Sequence, residues 1–362
     1  MSVRPLLLVS ALLVCSSAAF MAGRTLGQHD VPPPAPKPTA IRTTRTAMPA
    51  KSVTAHAASP HGSPESPIQP LPQPSQADEG LPDITGIASY EDLLYVQPHL
   101  VDEQIGKLRA STPGKTGLYA VGFAGDAEEN VFRNEVAYLP KLLAARFDAA
   151  DRTLQLVNSP WTYQTTPLAT RTNLYKALAG VADRMDKDND ILLLFLTSHG
   201  THDHYVYVEM GSMPLDQLSP QNVRTALDRA HITWRVVVIS ACYSGGFIPA
   251  LQEPHTMIIT AARADRPSFG CGSDSQLTWF GKAFLTQALN HNNDFHAAFT
   301  EATRSIAQWE RREHQKPSEP QFWEGPLIEA KLAQWRAGLP ANAPPVAFTP
   351  TPVPHGESRA GR

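Results

Sequence analysis

Cysteine is scarce: 362 residues hold only Cys15, Cys242 and Cys271. Three cysteines cannot build a disulfide framework, so the fold has to rest on a hydrophobic core. Blocks of lysine or arginine are absent and the formal net charge is −3, which excludes the electrostatic footprint of a nucleic-acid binder and a polybasic lipid patch. No internal repeat is present. Residues 28 to about 85 almost lack aromatic and branched apolar side chains. Such a stretch buries too little surface to offset the entropy of ordering.

What is present suits one folded domain with flexible flanks. Hydrophobic residues make up 42% and charged residues 18%, enough for a substantial core. The 33 prolines crowd residues 32–83 and the stretch after Leu339. An apolar run from Leu6 to Ala22, flanked by Arg4 and Arg24, has the length of a long signal-peptide core or a short membrane anchor. Ser17-Ala18-Ala19 offers a small-residue cleavage site. The expected organisation is a signal peptide or anchor over 1–27, a disordered Pro/Ala/Ser-rich linker over 28–87, a folded domain over 88–336 and a disordered tail over 337–362. An exported protein follows, periplasmic or extracellular, with a possible membrane tether at its N-terminus.

Within the domain, strand and helix signals alternate. Strands are expected at 117–123, 153–158, 190–198, 205–208, 235–241 and 255–261. Helical stripes include Phe132, Val136, Leu139 and Leu143, then Leu174, Leu178 and Val181, then segments 278–290 and 294–312. A lead-in helix is expected over 88–110. Ser219-Pro220 reads as a cap followed by a first helical turn. Such alternation specifies an α/β fold, a mostly parallel sheet with helices on both faces.

Two of the strands end in reactive residues followed by glycine. The run from Asp190 to Ser198 leads to His199-Gly200, and the run from Arg235 to Ala241 leads to Cys242 and, beyond Tyr243 and Ser244, to Gly245-Gly246. Both runs are uniformly apolar and too short for a membrane helix, as strands buried on both faces are. Ligands of open α/β sheets bind beyond the carboxyl ends of strands. A thiol is only a few per cent ionised at neutral pH, so a catalytic Cys needs a base, and His titrates near working pH. Cys242 as nucleophile and His199 as base therefore make a dyad, with the Gly200 and Cys242 amides free to face a developing oxyanion. The plainer alternatives are a Cys242–Cys271 disulfide or two buried thiols.

Thr197-Ser198-His199-Gly200 and Ser240-Ala241-Cys242-Tyr243-Ser244-Gly245 resemble the His-Gly and Ala-Cys-x-Ser-Gly motifs of the legumain family, the asparaginyl endopeptidases distantly related to caspases. Thr260 through Cys271 resembles the family's Thr-Ala-Ala segment, and Asn130-Val131-Phe132-Arg133 its loop carrying a pocket arginine. The resemblance covers about residues 115–290. It implies a caspase-haemoglobinase-like three-layer sandwich, and a cysteine endopeptidase acting through a thioester acyl-enzyme. The implied oxyanion donors are Gly200 and Cys242, and the implied pocket residues Arg133, Ser240, Ser268 and Lys282. Two of these depart from the family: Ser240 stands where an acidic residue is usual, and Lys282 follows Gly281 where a second acid is usual. A pocket short of two carboxylates and richer by a lysine predicts weakened asparagine specificity.

Three other functions fit some of the same residues. Acyl transfer to an amine would make the chain a transamidase or ligase. A non-catalytic exported module would bind peptides on the same fold. A metal-dependent hydrolase would use His199, His202 and His204, although His-x-x-His-Asp-His matches no zinc spacing with a known rationale. Neither a metal nor an organic cofactor is expected, and the partner is a peptide or protein substrate.

Overall fold

A computed structural model describes residues 90–272, 275–340 and 343–352. All lie in one compact unit, Gln73–Arg362. The apolar run at 6–22 and the linker at 28–87 lie outside the described residues.

The chain runs α1 (Tyr90–Lys107), β1 (Leu118–Ala124), α2 (Asn130–Arg146), β2 (Thr153–Val157), α3 (Arg171–Arg184), β3 (Ile191–Thr197), α4 (Pro220–Ala230) and β4 (Trp234–Ser240). It continues through α5 (Ile248–Leu251), β5 (Thr256–Thr260), α6 (Trp279–Gly281), α7 (Phe295–Arg312), β6 (Gln321–Glu324) and α8 (Ile328–Arg336). A π-helical stretch, Lys282–Ala288, follows α6 directly. The six strands form one sheet in the order β2-β1-β3-β4-β5-β6, parallel except for β6.

Both faces of this sheet are covered, which is why its strands read as unbroken apolar runs. Ile191, Leu193 and Phe195 point into a core built with α2, α7, α8 and the π-helical stretch. Leu192, Leu194 and Leu196 point into the opposite core, built with α1, α3 and α4. Every residue of β3 is buried, each large apolar one contributing about 1.5–3 kcal/mol. The result is the expected three-layer α/β sandwich. The strand order reverses direction between β1 and β3, so the crevice outside their carboxyl ends is where such a sheet takes a ligand.

Several local details differ from the sequence expectations. Residues 205–208 form no full strand; Val206 makes isolated bridges to Gly200 and Leu218, which tie the loop after β3 to the segment before α4. The sheet gains an antiparallel edge strand, β6, and α8 closes the α2 side. Residues 343–352, from the stretch expected to be disordered, run extended along α2. Val346 exchanges two hydrogen bonds with the Asn290 side chain, at 2.7 and 2.8 Å, and Phe348 packs edge-on against Tyr138. Side-chain amides thus supply the backbone partners that proline-rich chain does not find in a ladder.

At the free edge of the sheet, the Gln104 side chain of α1 accepts from the Gln155 amide of β2 at 2.8 Å and donates to its carbonyl at 3.0 Å. The cap of α4 is the one the sequence signals. Ser219 accepts from Asn222 N–H, and Asn222 reaches back to the Ser219 amide, a complete capping box for α4. Ser219→Ala is expected to lower unfolding stability by about 1 kcal/mol; an unchanged denaturation midpoint would remove the cap from the account.

Candidate active site

In-register pairing of β3 with β4 sets Thr197 opposite Ser240, so the two chains leave the sheet side by side. Two residues later come His199 and Cys242. Their loops touch: a Cβ on Gly200 would collide with the Cys242 carbonyl, so only glycine permits this approach. The His199 ring meets Phe132 of α2 edge-on, at 5.2 Å between centroids. The Cys242 sulfur accepts from the Ser268 amide at 3.2 Å and lies 3.6 Å from both the Ser268 carbonyl and hydroxyl oxygens. Cys242 and Cys271 are both free thiols, which excludes the disulfide alternative in this state.

The turn after Cys242 is sharp. Tyr243 adopts a left-handed conformation, φ 57°, and its amide is tied to the Arg266 carbonyl at 2.8 Å. His202 packs its ring on Tyr243, and His204 bonds the Tyr243 carbonyl at 3.0 Å. These two histidines therefore buttress the loop that carries Cys242. Among the described residues no three His, Cys, Asp or Glu side chains converge in a way that could hold a metal ion, and the His199/His202/His204 metal arrangement is not formed.

The sequence-derived pocket residues divide into two groups. Ser268 is in contact with the Cys242 sulfur, as above. Arg133 is 2% exposed; its Nη2 donates to the Thr351 carbonyl at 3.1 Å, while Nε and Nη1 have no acceptor. Burial lowers its pKa below the ordinary guanidinium value. Ser240 turns inward, its hydroxyl 3.2 Å from that of Thr278. Lys282 turns the other way and sits over the Trp309 ring at 5.2 Å, where Trp309 also packs against Trp279, itself against Phe269.

One residue that the motifs do not reveal sits at the centre. Glu135 of α2 is fully buried. Its Oε2 accepts from the Thr197 hydroxyl at 2.6 Å. Its Oε1 accepts from the Thr278 amide at 2.9 Å and the Thr278 hydroxyl at 2.6 Å. Gly281 makes room for it, since a Cβ there would strike the carboxylate. The available signal was a polar residue on the apolar face of α2, one residue from Val136 and four from Leu139.

Residues 118–328 match the family model described as Peptidase C13 family. The chain belongs to this family, the legumain family read from its motifs, and is a cysteine peptidase. No curated protein matches it. Among solved structures, one described as "structure of pro-sf-caspase-1" is similar at 14% identity and a TM-score of 0.42, over 60% of this chain and 90% of that one.

Burial pushes Glu135 up from 4.5 to about 7, against the lowering effect of its threonine donors. A carboxyl whose folded value is raised contributes stability that is fully present below its unfolded value and lost as pH rises through the folded one. Between about pH 4 and about pH 8, the protein is expected to lose on the order of 3 kcal/mol of stability relative to Glu135→Gln. Denaturant titrations of both proteins across that range check the sign; parallel stability curves would contradict it.

Proposed function

We propose that this cysteine peptidase hydrolyses peptide bonds by attack of Cys242 on the scissile carbonyl, with His199 as the base that takes the thiol proton and returns it to the leaving amine. The observation that carries the reading is the placement of the two residues on adjacent, in-register strand ends whose loops touch at Gly200. Attack forms a tetrahedral intermediate that collapses to a thioester acyl-enzyme, and water then releases the acid. Among the described residues neither the Gly200 nor the Cys242 amide has a hydrogen-bond acceptor, which leaves both for the oxyanion. Each such donor is worth about 3–4 kcal/mol of transition-state stabilisation.

Arg133 and Ser268 supply the pocket for the residue before the scissile bond, with Ser240 beneath it and Lys282 turned away to Trp309. A buried guanidinium with two unpaired donor atoms favours an anionic side chain, because a carboxylate offers the bidentate partner that the single Thr351 carbonyl does not. The pocket therefore takes aspartate in preference to asparagine. The apolar run at 6–22 supports export, with the domain working outside the cytoplasm on peptide or protein substrates.

Cys242→Ala and His199→Ala are each expected to reduce peptide hydrolysis by on the order of 10^4-fold or more, with far-ultraviolet circular dichroism unchanged. Full activity in Cys242→Ala would assign the reaction elsewhere. Peptide libraries varied at the residue before the cut are expected to favour Asp over Asn and Arg, and Arg133→Ala to erase that preference by about tenfold or more. A strong preference for Asn in the native protein overturns the acidic pocket.

A further inference from the structure

Glu135 joins three segments that the catalytic residues depend on. It holds the last residue of β3, two positions before His199, through the Thr197 hydroxyl at 2.6 Å. It holds Thr278, the cap of α6, through both the amide and the hydroxyl. Thr278 in turn lies 3.2 Å from the hydroxyl of Ser240, the last residue of β4, two positions before Cys242.

The protons of this chain have one consistent direction when the carboxylate is ionised. The Thr278 hydroxyl accepts from the Gly281 amide at 2.9 Å and has a single proton to give, which goes to Glu135. Ser240 must then donate to Thr278, and Thr197 donates to the other carboxylate oxygen. A carboxylate is acceptor-only and satisfies every donor aimed at it. Protonation puts a further donor into the same closed space without adding an acceptor, so a hydroxyl at Thr197 or Thr278 loses its partner. Leaving such a buried donor unpaired is costly.

We propose that Glu135 is a positioning residue: its ionised carboxylate fixes the hydroxyls of Thr197, Thr278 and Ser240, and through them the loops that present His199 and Cys242, so that the reactivity of Cys242 depends on the charge of Glu135. The proposal rests on the dyad reading of Cys242 and His199. No ion pair reaches Glu135 among the described residues. Arg133, on the same helix, is turned to Thr351. Lys282, beyond Gly281, is turned to Trp309. Cys271 faces it from the segment before α6, its thiol pushed up to about 11 by burial, with Cys242 and Glu135 adding to the rise. With burial holding Glu135 near 7, the carboxylate changes charge across the neutral range.

The test is the rate of iodoacetamide alkylation of Cys242, followed by mass spectrometry of its peptide in the full chain from about pH 5 to about pH 9. It is run in a His199→Ala background, which removes the imidazole's own titration. An inflection near pH 7 is expected to remain there. It should disappear when Glu135→Gln is added, with alkylation above neutrality about tenfold slower. Thr197→Val deletes a donor that lowers the Glu135 pKa, so it should move the inflection to higher pH. Identical profiles with and without Glu135→Gln overturn the proposal. Should that variant not fold, an inflection unmoved by Thr197→Val overturns it as well. Peptide hydrolysis by the native protein, with Cys242→Ala as the blank, is measured alongside. An inflection that behaves as expected in a protein that hydrolyses nothing supports the role of Glu135 and refutes the peptidase role of the dyad.

Discussion

The register of β3 against β4 is the constraint on which the site depends. Strand side chains alternate between faces, so a slip of one residue would turn each buried leucine of β3 toward the wrong core and displace the loop carrying His199 against the loop carrying Cys242. The two apolar cores therefore do more than stabilise the sheet. By demanding Leu193 on one face and Leu194 on the other, they set Thr197 opposite Ser240 and deliver His199 and Cys242 at the same level. The closeness of these two residues is a by-product of packing, refined by a glycine that lets two backbones meet.

Buried polar groups then set the chemistry at that end of the sheet. Glu135 lies sealed under the loops with every bond to a hydroxyl or amide, and Arg133 lies two residues earlier with most of its guanidinium unpaired. The two charges are on one helix yet make no ion pair with each other. A mutual pair would neutralise both. Kept apart, Glu135 is tied to Thr197 and Thr278, and Arg133 is turned to the Thr351 carbonyl.

Much of this arrangement was legible in the sequence. The uniform runs before His199 and Cys242 announced doubly covered strands, and Ser219-Pro220 announced the start of α4. Other features were hidden for physical reasons. Glu135 reads as one acid in an amphipathic helix, because its partners come from residues 62 and 143 positions away. The four-residue strand β6 is too short to show a period, and it pairs only because β5 offers an edge. Residues 343–352 carry the composition of disordered chain, but Asn290 bonds Val346, the Asn134 side chain accepts from the Thr351 amide and the Tyr138 hydroxyl donates to the Val346 carbonyl, which composition cannot show. Lys282 reads as a pocket cation from its place after Gly281, whereas the nearby Trp309 ring draws its ammonium away.

The Gln104 clasp on β2 has a consequence outside catalysis. A parallel sheet ends in a row of open amides and carbonyls, which is a template for any other extended chain. By imitating one residue of a seventh strand, a single side-chain amide of α1 occupies the pair at Gln155 and denies a foreign strand its first foothold. A peptidase takes peptide or protein chain as its substrate, and an unpaired strand edge would bind the same backbone groups. The clasp separates the chain the protein cuts from the chain it would otherwise absorb.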